Sequence, residues 1–300
     1  MRRFIILCFA LMALHARSET PPNKSSIWED ISGENALNHV QALVEFGPRP
    51  PATEAIEKSR DYITKQLEGF GWRVARQSFT DDTPQGKVTF VNLIATFHFS
   101  EETIPPSWIL CSHYDTKIFT TARFVGANDG GSSTGLLIEM ARVFAQRPEL
   151  ARKLELVFFD GEEAFVQFTD KDGLYGSRYF AKQLAADGKA KQFRGGLLFD
   201  MIGDSSLNVT FSTDSPRELV NGIFSAADAL GLRKHFTYFQ STILDDHAPL
   251  NAIGIPTLDL IDFDYPPWHT PEDTIDKLSA ESLKVVGSVA TRYLVETALK

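Results

Sequence analysis

The chain has 300 residues, of which 43% are hydrophobic and 11% aromatic, enough apolar material for a globular core and too much for a disordered chain. Its formal net charge of −9 disfavours nucleic acid as a partner, because phosphate backbones attract basic surfaces. After residue 18, no stretch reaches the roughly 20 apolar residues that a membrane-spanning helix needs, so we expect no stable membrane insertion.

The start of the chain has the pattern of a secretory signal peptide. Arg2 and Arg3 give a basic beginning, an apolar stretch covers residues 4–14, and small residues follow it. The apolar stretch is too short to span a bilayer comfortably. We therefore expect residues 1–18 to be removed during export, and residues 19–300 to form a secreted or periplasmic domain.

Two predicted helices open the mature domain, and strands and helices then alternate. Apolar residues at helical spacing predict helices over 34–47 and 52–71, each ending at a glycine. The strands predicted after them are 87–97, 107–115, 153–160, 195–203 and 256–263, and the helices are 134–146, 176–188, 216–231 and 279–299. This alternation is typical of an α/β domain with a mostly parallel sheet that is covered by helices. Since no linker or repeat divides it, we expect a single domain.

Acidic and histidine residues follow several of the predicted strands. In open α/β sheets, ligands bind beyond the carboxyl ends of the strands. The residues at these positions are His113, Asp115, Asp129, Glu162, Glu163, Asp200 and His269. If the sheet is parallel, the loops that carry them meet at one edge.

Each of these residues has an ordinary structural explanation when it is taken alone. Asp129 could begin a helix, Asp200 could form a turn, and His113 could be a core histidine with satisfied hydrogen bonds. Taken together, imidazole nitrogens and carboxylate oxygens are the ligands that zinc prefers. A dication also stabilises carboxylates that would be costly to leave unpaired in a cleft. The combination therefore predicts a metal site.

The adjacent pair Glu162 and Glu163 predicts a division of labour. Neighbouring residues cannot point in the same direction along an extended strand, but they can straddle a site from a loop. A catalytic zinc has three protein ligands and an open position, and a nearby carboxylate can act as general acid and base. We expect one Glu to bind the metal and the other to move protons, and their spacing leaves open which does which.

Segments with distinctive polar residues and glycines run through nearly the whole mature chain. They are "FGPRPP", "SHYDTK", "GANDGGSSTGLLIEMAR", "FFDGEEAF", "DGLYGSRYFA", "FDMIGD", "DDHAPL" and "WHTPEDT". Together they resemble the animal-type glutaminyl cyclases and their parent family, the M28 zinc aminopeptidases. The resemblance implies a single zinc aminopeptidase-like α/β domain, in which helices flank a central mixed, mostly parallel sheet.

The resemblance also implies roles for individual residues. The implied zinc ligands are Asp129, Glu163 and His269. His113 and Asp200 match the positions that hold a second zinc in M28 aminopeptidases, so one zinc is expected for a cyclase and two for a peptidase. The implied catalytic residues are Glu162 for proton transfer, Asp245 for holding the substrate amide and Asp200 for tuning the proton relay. The aromatic residues expected to wall the substrate pocket are Phe168, Tyr265 and Trp268.

The match favours the cyclase over the peptidase. "FFDGEEAF" and "LYGSR" fit the cyclase pattern more closely, Trp268 precedes a ligand, and Asp245 has a cyclase counterpart. The predicted reaction converts the N-terminal glutamine of a peptide or protein to pyroglutamate and releases ammonia. An M28-type zinc aminopeptidase that hydrolyses N-terminal residues is the alternative. A non-catalytic exported zinc- or peptide-binding protein ranks last, because such a protein would be expected to lose Glu162. Phe168 and Asp259 depart from the animal cyclases, which carry Trp and His there.

Overall fold

The computed structural model describes residues 26–98, 105–169 and 171–300, so the predicted signal peptide lies outside the described residues. The described residues form one eight-stranded sheet and its flanking helices. The strands are β1 (Trp72–Thr83), β2 (Gly86–Phe97), β3 (Trp108–His113), β4 (Leu154–Phe159), β5 (Gly195–Asp200), β6 (Val209–Phe211), β7 (Phe236–Tyr238) and β8 (Thr257–Ile261). The helices are α1 (Gly33–Glu45), α2 (Glu54–Gly69), α3 (Ser133–Ala145), α4 (Pro148–Ala151), α5 (Tyr175–Ala186), α6 (Arg217–Ala229), α7 (His247–Ala252) and α8 (Ala280–Tyr293).

The sheet is mixed, and its centre is parallel. The spatial order of the strands is β1-β2-β4-β3-β5-β8-β6-β7. Strand β3 lies parallel to both β4 and β5, and β5 lies parallel to β8. Antiparallel pairing is found between β1 and β2, between β2 and β4, and between β6 and β8. The predicted α/β domain with a mixed, mostly parallel sheet is confirmed.

Helices cover both faces of the central strands. Every residue of β3 and of β5 is buried, which explains why these strands read as continuous apolar runs and not as alternating ones. On one face the main core joins the sheet to α1, α3 and α8, and on the other a smaller core joins it to α5 and α7. Within the described residues, no helix has both the length and the apolar character that crossing a bilayer requires.

Several short or exposed elements were absent from the prediction. Strand β1 lies at one edge of the sheet, and only its Trp72 and Phe79 are buried. Strands β6 and β7 have three residues each, and α7 has six. Such elements carry too few apolar residues to set up a readable period. The predicted long strands and helices all have counterparts in the structure.

The parallel centre of the sheet positions the polar loops. Strands β3, β4, β5 and β8 all run in the same direction, so their carboxyl ends lie at one edge. His113 and Asp200 are the last residues of β3 and β5. Chain segments that are far apart in sequence therefore meet at that edge.

Candidate metal centre and active site

Three of the expected ligands lie together at this edge of the sheet. Nε2 of His269 lies 3.1 Å from Oε1 of Glu163 and 3.3 Å from Oδ2 of Asp129. One ligand atom from each residue falls within 4.8 Å of the others. The three residues come from the segment before α3, the loop after β4 and the loop after β8. A single dication can reach all three side chains.

A second group of potential ligands adjoins the first. Nε2 of His113 lies 3.2 Å from Oδ1 of Asp200 and 3.3 Å from Oδ1 of Asp129. These three residues also offer ligand atoms within 4.8 Å of one another. Asp129 thus presents one oxygen to each group, the position of a bridging carboxylate in a two-metal site. The side-chain geometry accommodates either one ion or two.

Backbone conformation places Asp129 at the meeting point of the two groups. The carboxylate of Asp273 accepts hydrogen bonds from the backbone N–H groups of Asn128 at 2.8 Å and Asp129 at 3.1 Å. Gly130 follows with φ +78°, and a Cβ there would lie 2.6 Å from the backbone oxygen of Asp115. Only glycine fits that position without displacing the backbone.

A buried arginine secures the approach to this segment. Arg49 is fully buried, and its guanidinium donates to the backbone oxygens of Tyr114, Val125 and Gly126 at 3.1, 2.7 and 3.0 Å. A buried cation of this kind is stable only when its donors are satisfied. Arg49 therefore fastens the segment before Asp129 to the end of β3.

The neighbouring glutamates are held by one carboxylate but differ in their surroundings. Asp115 accepts the backbone N–H of Glu162 at 3.1 Å and that of Glu163 at 3.3 Å, one on each oxygen. Glu163 belongs to the first ligand group, whereas Glu162 belongs to neither ligand group. Nζ of Lys117 also lies 3.4 Å from Oε2 of Glu163. This geometry directs one glutamate to the metal position and leaves the other free for different chemistry.

The electrostatics fit a cation at this position. Burial raises the pKa of Glu163 to about 7 and the pKa of Glu162 well above its usual range. Burial would lower the pKa of His269, but the carboxylates of Asp129 and Glu163 raise it to about 9. Oδ2 of Asp129 has no hydrogen-bond partner among the described residues. Because carboxylates crowd together and this buried ligand atom lacks a partner, the residues present suit zinc or a similar dication.

A small cavity opens over the metal position. Its volume is about 220 Å³. The lining residues are Asp129, Glu162, Glu163, Phe168, Asp200, Met201, Thr242, Ile243, Leu244, Asp245, Ile261, Phe263, Trp268 and His269. Trp268 also stacks on the ring of His269, with their centroids 4.2 Å apart. The cavity thus joins polar residues on one side to apolar walls on the other.

The pocket aromatics named from the sequence occupy different places. Phe168 and Trp268 line the cavity, but Tyr265 is not among the lining residues. Its buried hydroxyl instead donates to Oδ1 of Asp273 at 2.8 Å. Tyr265 therefore steadies the carboxylate that holds the backbone N–H of Asp129.

Sequence reasoning missed several residues of the site. Arg49 and Asp273 hold the segment that carries Asp129, and Ile243 and Leu244 add apolar wall. Arg49 stands in the "FGPRPP" segment and Asp273 in "WHTPEDT", so both lay within motifs that carried the resemblance. No local pattern distinguishes a supporting carboxylate or a wall residue from an ordinary one, and these roles became visible only from the contacts.

Comparison with known proteins agrees with this geometry. The family model of peptidase family M28 matches residues 92–294. The glutaminyl-peptide cyclotransferase of Dictyostelium discoideum is 31% identical, over 86% of this chain and 83% of its own length. The crystal structure of an Acidobacteriales bacterium glutaminyl cyclase superposes with a TM-score of 0.82 at 32% identity, covering 94% of this chain and 98% of that one.

A peptidase is also among the structural neighbours. The crystal structure of a Zn-dependent exopeptidase from Parabacteroides distasonis has a TM-score of 0.78 and 27% identity, covering 87% of this chain and 97% of that one. The same fold therefore supports both kinds of enzyme, as the resemblance in sequence implied. The chain belongs to peptidase family M28, the family whose fold and motifs it shares with the glutaminyl-peptide cyclotransferases.

Proposed function

We propose that this chain is a zinc-dependent glutaminyl-peptide cyclotransferase that converts the N-terminal glutamine of peptides or proteins to pyroglutamate and releases ammonia. The observation that carries the proposal is its relationship, over most of both chains, to a curated glutaminyl-peptide cyclotransferase. The small cavity, which brings Glu162 beside the ligand group, supports it. Such a cavity suits one terminal residue of a chain better than an internal segment.

Asp129, Glu163 and His269 would hold the zinc ion. When bound, zinc supplies Lewis-acid chemistry, which makes the carbon of the substrate γ-carboxamide more open to attack. The carboxylate oxygens and the imidazole nitrogen of these three residues are the donors that catalytic zinc uses, and three protein ligands leave a position for substrate. Residues His113 and Asp200 complete a second group, so the number of ions remains part of the test.

Ring closure is intramolecular, and much of its acceleration comes from positioning. The substrate's α-amine nitrogen forms a bond to the γ-carboxamide carbon, the amide C–N bond breaks, and ammonia leaves. The cavity walls would hold the glutamine folded so that its amine faces its own side chain. Phe168 and Trp268 are the aromatic walls for this task, because both line the cavity.

Glu162 would carry the proton that this reaction moves. Its carboxylate would accept a proton from the attacking amine and deliver it to the departing nitrogen, which leaves the glutamate in its starting state. Asp115 accepts the backbone N–H of Glu162, which fixes the backbone position from which the Glu162 side chain extends. A group that both takes and returns a proton must lie next to the reacting atoms, and Glu162 lines the cavity.

Asp245 would orient the substrate amide, and Asp200 would tune the proton relay. Both carboxyl groups are buried and line the same cavity as Glu162. Carboxylate oxygens accept the N–H groups of a carboxamide, and they favour the orientation in which its nitrogen can leave. In this proposal Asp245 contacts the amide, and Asp200 tunes the proton relay through its hydrogen bond with His113.

The test is an assay of the zinc-loaded protein on a glutamine-initiated peptide. Release of ammonia, with a peptide product lighter by one ammonia, is the expected result. Release of free N-terminal amino acids from a leucine-initiated peptide, together with zinc bound at both the Asp129–Glu163–His269 group and the adjoining group that includes His113, would replace the proposal by the aminopeptidase alternative. The His113, Asp129 and Asp200 group and the exopeptidase neighbour are the observations that favour that alternative.

Export is part of the proposal. The basic start, short apolar stretch and small residues of positions 1–18 support a signal peptide and a secreted or periplasmic product. Expression of the full chain and mass measurement of the protein recovered from the periplasm or medium would test it. A mature protein that begins at residue 19 is expected, and an intact protein that stays in the cytoplasm would contradict it.

A further inference from the structure

A third group of buried potential ligands lies beside the cavity and outside both groups described above. Asp245 precedes α7, His247 is the first residue of α7, and Asp259 lies in β8. Their exposed fractions are 3%, 5% and 3%. Each offers a ligand atom within 4.8 Å of the others, and Nδ1 of His247 lies 3.7 Å from Oδ2 of Asp259.

The atoms that face one another in this group lack partners. Both carboxylate oxygens of Asp259, Nδ1 of His247 and Oδ2 of Asp245 accept no hydrogen bond from the described residues. A buried polar atom left in this state costs about 1–3 kcal/mol, and a charged one costs more. The only ion pair found for these side chains in the described part of the chain is the one between His247 and Asp259.

The surroundings contrast with those of a carboxyl group close by. Asp262 is equally buried, but its oxygens accept the backbone N–H groups of Asn208 at 2.8 Å and Asp264 at 3.2 Å. The described chain thus supplies donors to both oxygens of Asp262 but to neither oxygen of Asp259, which lies only three residues earlier. One potential ligand atom from each of Asp245, His247 and Asp259 lies within 4.8 Å of the others, a spacing that a single ion could bridge.

We propose that Asp245, His247 and Asp259 bind a divalent cation of the zinc class, at a site separate from the one formed by Asp129, Glu163 and His269. One imidazole nitrogen with two carboxylate oxygens is a zinc-type donor set, whereas calcium and magnesium prefer oxygen alone.

The cation would join two elements and fix a cavity residue. It would link the start of α7 to β8, and it would hold the Asp245 carboxylate, whose Oδ1 already accepts the backbone N–H of Asp246 at 2.5 Å. Asp245 also lines the cavity, so this site would set the position of a residue that faces the substrate. The inference does not rest on the proposed function, because its tests measure bound metal.

The decisive experiment is diffraction from crystals of the mature protein grown with zinc chloride, with data collected at the zinc absorption edge. We expect an anomalous peak within about 2.0–2.2 Å of Nδ1 of His247 and of a carboxylate oxygen of Asp259. Peaks at the Asp129 position but none between His247 and Asp259 would overturn the inference and indicate that the carboxyl groups hold protons instead.

A matched pair of variants gives an independent count. Asp259→Asn removes a ligand, whereas Asp262→Asn removes an equally buried carboxylate that is already paired. After dialysis at micromolar free zinc, bound zinc should fall by one ion per chain in Asp259→Asn and stay unchanged in Asp262→Asn. Equal zinc content in wild type and Asp259→Asn would overturn the inference. If Asp259→Asn does not fold, the wild-type anomalous map decides alone.

Discussion

Glu162 and Glu163 are neighbours in the chain that differ in what surrounds their side chains. Oε1 of Glu163 lies 3.1 Å from Nε2 of His269, whereas Glu162 lines the cavity outside the ligand groups. We therefore expect Glu163→Gln to lose most of its bound zinc. We expect Glu162→Gln to keep its zinc and to lose activity by about 10²–10⁴-fold, the usual contribution of a general acid and base.

Metal analysis and kinetics of the two variants, measured side by side, check this division of labour. Each variant is the control for the other, because both replace a carboxyl group by a carboxamide at adjacent positions of one loop. Equal zinc content in the two variants would contradict the assignment, and so would full activity in Glu162→Gln.

Asp273 would act on a bound metal through the backbone. It accepts the N–H groups of Asn128 and Asp129 and the hydroxyl of Tyr265, so both of its oxygens are used. In Asp273→Asn an NH₂ group, itself a donor, would replace one of the two oxygens that accept these hydrogen bonds. We expect zinc affinity to fall by about 10–100-fold, as for other residues that orient metal ligands. Competition with a chelator measures this affinity, and Asp276→Asn, an exposed change nearby, should leave it unaltered.

At the scale of elements, the turn before α3 shows why glycine is needed beside a ligand. Gly130 has φ +78° and close backbone neighbours, whereas Gly188 has φ +69° and open space within 4 Å of the position that a Cβ would take. Gly188→Ala should therefore lose about 1–2 kcal/mol of unfolding free energy, which is the cost of placing a residue with a Cβ in the left-handed backbone region. Gly130→Ala should lose more unfolding free energy and also zinc, because relief of the clash moves Asp129. Denaturant unfolding and metal content of the two variants test this, and equal losses would refute it.

The elements that could be predicted from the sequence differ physically from those that could not. Strand β3 could be predicted because all its residues are buried, so burial left an unbroken apolar run. Strand β1 buries little beyond Trp72 and Phe79, since it is an edge strand that faces solvent and pairs with β2 alone. It is held by antiparallel pairing with β2, the next strand in the chain, and this backbone pairing leaves no period of apolar side chains in the sequence.

At the scale of the whole molecule, strand order determines which predicted residues meet. The local pattern of the sequence was enough to predict that polar residues follow several strands. That Asp129 would stand between His113 and His269, with an oxygen for each, depends on how β3, β4, β5 and β8 are arranged. Pairing across long stretches of chain sets that arrangement, and residues such as Arg49 that hold it together look ordinary in sequence.

Because one edge of the sheet gathers so many carboxylates, bound metal should stabilise the entire fold. A ligand present at 100 times its dissociation constant stabilises the native state by about 2.7 kcal/mol. For a domain of this size, about 2–4 °C per kcal/mol converts this into a melting temperature higher by roughly 5–10 °C. Stripping zinc with a chelator should therefore lower the melting temperature by this amount and abolish activity, and added zinc should restore both. The chelator should have less effect on Glu163→Gln, which lacks one ligand; an equal drop in that variant, or no drop in the wild type, would show that metal at this edge does not support the fold.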